Sequence, residues 1–91
     1  MAGQTPDQPE TYPTAPLATR LDVIGLNCPL PALKTESALA HLLPGALLEV
    51  ETSDPMAAID IPHAAASGGH TLIDSSQTAG ILRFLIRKGG L

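Results

Sequence analysis

The spacing of apolar and polar positions changes period several times along the chain, and the changes mark out six elements. In Arg20-Leu-Asp-Val-Ile-Gly25, Asp22 separates Leu21 from Val23 and Gly25 ends the run, which predicts a first strand. A helix is expected from about Pro29 to Leu43, stopped by Pro44-Gly45. Residues 46–52 alternate, with Leu48 and Val50 on one face and Glu49 and Glu51 on the other, as a half-buried second strand does. Asp54-Pro55 has the chemistry of a helix start, Asp as N-cap and Pro in the first turn. Pro62 is poorly suited to a helix interior, so this stretch is expected to divide into a turn at 55–59 and a restart near Asp60-Ile61-Pro62, ended by Gly68-Gly69. Strands at His70–Ser75 and Gly80–Lys88 then form a closing hairpin around Ser76-Gln77-Thr78-Ala79. In the last strand Leu82, Phe84 and Ile86 share one face, and Arg83 and Arg87 share the other.

The order β-α-β-α-β-β predicts an α+β fold: a two-layer α/β sandwich in which two helices cover one face of a four-stranded mixed sheet. The first nineteen residues carry four of the nine prolines and little that could pack. They are expected to form a disordered Pro-rich lead-in, with residues 20–91 as the domain. No internal repeat is visible.

Composition narrows the function classes. The chain has 91 residues, 44% apolar and 15% charged, as a single small globular domain would. The formal net charge is −4, and there is one Tyr, one Phe and no Trp, a poor basis for holding phosphates or stacking bases. Direct nucleic-acid binding is not expected. Every apolar run is too short for a membrane span, and the N-terminus lacks a signal-peptide pattern, so a cytoplasmic protein without membrane insertion is expected. A single cysteine, Cys28, permits no internal disulfide and no structural zinc site built on paired cysteines. His41, His63 and His70 are too scattered for a metal site, and the motifs of nucleotide-binding loops and nucleophile elbows are missing.

Cys28 lies between a strand end and a helix start, in Gly25-Leu-Asn-Cys-Pro-Leu-Pro31. With Cys28 as N-cap, Pro29 and Pro31 fall where helix amides have no internal acceptor, so neither removes a bond. The Leu30 amide would then be free to point at the sulfur, and the positive helix end would lower the thiol pKa and make a nucleophile. The competing reading is a small buried hydrophobe. The residues alone leave the two about even.

The segment Gly25-x-x-Cys28-Pro29-x-Pro31 resembles the signature of the TusA/SirA-like family of small sulfur carriers. The likeness runs on through Ala32-Leu33-Lys34, Pro44-Gly45, Asp54-Pro55, Asp60-Ile61-Pro62, Gly69-His70 and Phe84–Gly89, across essentially all of residues 20–91. The resemblance implies the same β-α-β-α-β-β sandwich. It also implies a cysteine, here Cys28, that accepts sulfane sulfur as a persulfide and relays it, with no cofactor. Donors in the family are cysteine desulfurases and rhodanese-like or DsrE-like proteins; acceptors lead to tRNA thiolation, molybdenum cofactor supply or sulfur oxidation. With no second cysteine, a persulfide on Cys28 has no internal thiol to resolve it and must leave to a partner. That is the behaviour of a carrier, not of a turnover enzyme. The alternatives are a regulatory interaction module whose cysteine never carries sulfur, and an accessory to a thiosulfate or sulfur transporter.

Other residues have a functional and a plain reading. Asp54 and Asp60 could meet a partner or handle a proton, but each precedes a proline closely enough to read as a helix cap. Lys34, about a turn and a half beyond Cys28, could contact a partner or be a solvated helix lysine. Arg83, Arg87 and Lys88 could dock an acidic partner, or pair across strands with Glu49 and Glu51, which is the preferred reading. The terminal Gly89-Gly90 suggests thiocarboxylate carriers, but Leu91 follows it, and a strand end accounts for it better.

Overall fold

A computed structural model describes residues 18–90; residues 1–17, most of the Pro-rich lead-in, and Leu91 lie outside the described residues. The elements are β1 (Ala18–Asp22), α1 (Leu30–Ala40), β2 (Leu47–Thr52), α2 (Ala57–Ser67), β3 (Thr71–Thr78) and β4 (Ile81–Arg87). The strands form one mixed sheet in the order β1-β2-β4-β3, with β1 parallel to β2 and the other neighbours antiparallel. This is the two-layer α+β sandwich expected. Because β1 and β2 run parallel and each is followed by a helix, α1 and α2 both begin at the same end of the sheet.

The core is the face predicted by alternation. Leu48 and Val50 of β2 and Leu82, Phe84 and Ile86 of β4 are buried against Leu39 of α1 and Ala57, Ile61 and Ala65 of α2. Glu49, Glu51 and Arg83 lie on the face the helices leave open, where Arg83 stands directly opposite Glu51.

Four local expectations are corrected. Ala18 and Thr19, counted with the lead-in, already pair with Leu47 and Leu48, so the sheet begins two residues earlier. Helix α1 ends at Ala40 rather than near Leu43: the Lys88 ammonium reaches across from the end of β4 to donate to the Leu39 carbonyl at 2.6 Å, and a cation suits that negative helix end.

The expected division at Pro62 does not occur, and α2 runs unbroken through it. The proline leaves the Ala58 carbonyl without its amide partner. The helix persists because Ala57, Ile61, Ala64 and Ala65, at i, i+4, i+7 and i+8, are all buried on one face. It stops at Gly68-Gly69 as anticipated. Gly69 is left-handed (φ 80°), its amide donates to the Ala66 carbonyl and that of His70 to the Ala65 carbonyl, the paired bonds of a Schellman ending.

The hairpin turn is tighter than expected. Ser76, Gln77 and Thr78 belong to β3, and only Ala79 (φ 52°) and Gly80 (φ 81°) make the turn. Two positive φ angles are those of a type I′ turn, whose twist matches the flanking strands.

Candidate functional site

The chain leaves β1 through a loop held by its own polar groups. Asp22 Oδ1 accepts the Ile24 amide at 3.0 Å, and the Gly25 amide donates to Ser53 Oγ at 2.9 Å, tying the loop to the residue after β2. Gly25 takes a left-handed φ of 90°, which a side chain would resist. Cys28 follows, exposed to solvent, so the buried-hydrophobe reading does not apply. The Cys28–Pro29 peptide is cis.

The helix start differs from the expected one. Pro29, not Cys28, is the N-cap, and Pro31 sits buried in the first turn of α1. The Leu30 amide is not available to the sulfur, because it donates to the Asn27 carbonyl at 2.9 Å. Instead the Cys28 thiol donates to Asp60 Oδ2 at 3.1 Å. Asp60 stands in the first turn of α2, half-buried, and it reaches across to the sulfur rather than capping its own helix.

This contact reverses the expected acidity. The Asp60 hydrogen bond pushes the Cys28 thiol above its ordinary 9.0, with smaller contributions from desolvation and from the negative charges of Asp60 and Asp54. The shift runs upward, from the Asp60 hydrogen bond first, where the helix end alone is expected to lower it.

Asp54 has the local role assigned to it, displaced by one step. Its Oδ1 accepts the Met56 amide at 3.1 Å, closing the turn ahead of α2, while Met56 occupies the N-cap position. Its other oxygen, Oδ2, is buried with no hydrogen-bond partner among the described residues.

The remaining candidates separate. Arg83 is committed to Glu51, with Nε 2.8 Å from Oε2, and Arg20 approaches Glu51 (3.6 Å) and Glu49 (3.9 Å). Cross-strand pairing is therefore right for Arg83. Lys88 is bound to the Leu39 carbonyl. Lys34 and Arg87 are exposed, and neither forms an ion pair among the described residues. The histidines serve the scaffold: His41 Nδ1 donates to the Ser37 carbonyl, His63 Nε2 lies 3.4 Å from Ser67 Oγ, and His70 Nδ1 accepts the Gly89 amide.

One feature of this end of the molecule was not singled out in the sequence. Ile24, Leu30, Leu33, Met56 and Ile59 are large apolar residues left exposed, in the β1–α1 loop and around the starts of the two helices. The signal was present, since these are the apolar positions that the core-facing periodicities do not use. Among the described residues no helix is long and apolar enough to cross a membrane.

Comparison with known proteins places these features in a context. The family model described as Sulfurtransferase TusA matches residues 19–88. The chain is 39% identical over 75 residues to the sulfur carrier protein TusA of Pseudomonas paraeruginosa, covering 82% of this chain and 95% of the relative. It is 40% identical over 68 residues to the sulfur carrier protein TusA of Pseudomonas aeruginosa, covering 75% of this chain and 86% of the relative. A SirA-like protein of Desulfitobacterium hafniense shares the fold, with a TM-score of 0.69 at 22% identity over 78% of this chain and 97% of that one.

Proposed function

The chain belongs to the TusA family of sulfur carriers, and from that premise we propose that it carries sulfane sulfur as a persulfide on Cys28 and relays it between proteins. The observation that supports this reading most directly is the placement of the single cysteine, exposed at the start of α1. An exposed sulfur on a rigid helix start is open to a partner's sulfur, and with no other cysteine in the chain a loaded persulfide has no internal resolving thiol.

Loading is an exchange between sulfurs. Cys28 Sγ attacks the outer sulfur of the donor's persulfide, the donor's S–S bond breaks, and the donor leaves as a thiol after taking up the Cys28 proton. Delivery is the same exchange with the acceptor's thiol as nucleophile. The donor is a desulfurase-like, rhodanese-like or DsrE-like protein, and the acceptor leads to tRNA thiolation, molybdenum cofactor supply or sulfur oxidation. Pro29 and Pro31 stiffen the segment that presents Cys28, and exposed Lys34 and Arg87 are available to a partner. Arg83, held by Glu51, is less so.

The test is intact-protein mass spectrometry after exposure to a sulfane-sulfur donor, with Cys28→Ser alongside. Gain of one sulfur atom by the wild type alone, reversed by dithiothreitol, is expected. No gain from several donor types, with Cys28 still freely alkylated, sinks the carrier reading and favours an interaction module, which pull-downs would then pursue.

A further inference from the structure

Among the described residues, Asp60 is the one side chain from another element that hydrogen-bonds the reacting sulfur, and it does so by accepting the thiol hydrogen. That hydrogen exists only in the empty carrier. Once Sγ becomes the inner sulfur of a persulfide it has no proton to donate, and the contact that held the empty state is gone. The carboxylate remains beside a terminal sulfur that is now the more acidic group, one S–S bond further out. Asp54, at the turn leading into α2, adds a second negative charge to the same surroundings; among the described residues no basic side chain contributes to the effect on Cys28.

From this geometry we infer that Asp60 sets the sulfur-transfer potential of Cys28, stabilising the empty thiol and disfavouring the loaded persulfide anion, so that the carrier is biased toward giving its sulfur away. The inference rests on the persulfide reading and deepens it. In the delivery step an acceptor thiol attacks the outer sulfur, the Cys28 S–S bond breaks, and the outer sulfur leaves as the acceptor's persulfide. Sγ departs with the bonding pair, takes up the proton released by the acceptor thiol, and donates it to Asp60 Oδ2. One negative charge stands on each side of the exchange, and no external oxidant or reductant is needed. The product of delivery is therefore the species that the Cys28–Asp60 hydrogen bond stabilises, which opposes the return of sulfur to the carrier.

The experiment is an equilibrium partition of sulfane sulfur between the protein and glutathione, read by intact mass in wild type, Asp60→Asn and Asp60→Glu. The pH profile of alkylation of the empty thiol by iodoacetamide is measured on the same samples. Asp60→Asn is expected to retain more sulfur than wild type at the same glutathione concentration, by about threefold for a partly exposed charged contact, and to alkylate with a midpoint at lower pH. Asp60→Glu, which keeps the charge, is expected to lie closer to wild type on both. A purely structural role for Asp60 would move neither readout. A wild type and Asp60→Asn that load equally overturn the inference and leave the carrier reading standing. A wild type that takes up no sulfur overturns both.

Discussion

The thiol of Cys28 and the carboxylate of Asp60 are 32 residues apart in the chain and 3.1 Å apart in space. Their contact joins the start of α1 to the first turn of α2, and it is the largest of the effects that raise the Cys28 thiol. The empty thiol, held above its ordinary 9.0, is expected to alkylate more slowly near neutral pH than a cysteine in an unstructured peptide. Stability follows with a definite sign. The folded state binds the Cys28 proton more tightly than the unfolded chain, so this contribution is complete below about 9.0 and is lost as pH rises through the raised folded value. Alkylation profiles and urea melts across alkaline pH check both statements, and a midpoint below 9.0 would contradict them.

Asp54 holds the turn before α2 by accepting the Met56 amide, while its buried second oxygen finds no partner among the described residues. Asp54→Ala is expected to destabilise the protein by about 1 kcal/mol, the usual cost of removing a cap-like acceptor. Asp54→Ser keeps an acceptor near the amide and removes the orphan oxygen, so denaturant melts should place it closer to wild type.

Ala79 occupies a left-handed position (φ 52°) in the two-residue hairpin turn ahead of Gly80. Asn tolerates that conformation better than Ala, and Asn-Gly is the preferred pair for this turn type. Ala79→Asn should raise stability by roughly 0.5–1 kcal/mol, and Ala79→Val, branched at Cβ, should lower it. Thermal melts of the two variants should move in opposite directions.

Gly89 lies directly against the Gly69 carbonyl, with no room for a side chain, and its amide donates to His70 Nδ1 at 3.0 Å. A Cβ here would collide with backbone, which cannot swing aside as a flexible side chain can. Gly89→Ala is expected to cost about 1–3 kcal/mol, measurable in urea melts, because it pushes the segment after β4 off the end of α2. Gly89 is thus part of the packed scaffold, two residues beyond the end of β4.

Arg83 and Glu51 face each other across the β2–β4 ladder with a 2.8 Å contact. A double-mutant cycle with Arg83→Ala and Glu51→Ala should give a coupling of about 0.2–1 kcal/mol, since the pair is partly exposed. Arg87→Ala, exposed and without an ion pair among the described residues, should leave stability within about 0.5 kcal/mol of wild type.

Local pattern alone determined much of this protein. The alternation of Leu48 and Val50 with Glu49 and Glu51, the face shared by Leu82, Phe84 and Ile86, and the stop at Gly68-Gly69 all act between near neighbours, so the order of elements and the core face could be read directly. The residues around Cys28 likewise carried the family resemblance. Tertiary structure decided what depends on how distant segments meet. Pro62 stays inside α2 because its neighbours Ile61 and Ala65 bury against the sheet, a gain that no local rule about proline includes. The tight Ala79-Gly80 turn follows from the pairing of Ser76–Thr78 with β4, although those residues are polar enough to pass for a loop. Most of all, the helix end that suggested a lowered Cys28 thiol is a local feature, whereas the carboxylate that raises it arrives from α2. Its distance from the sulfur is set by the packing of two helices that start at the same end of one sheet.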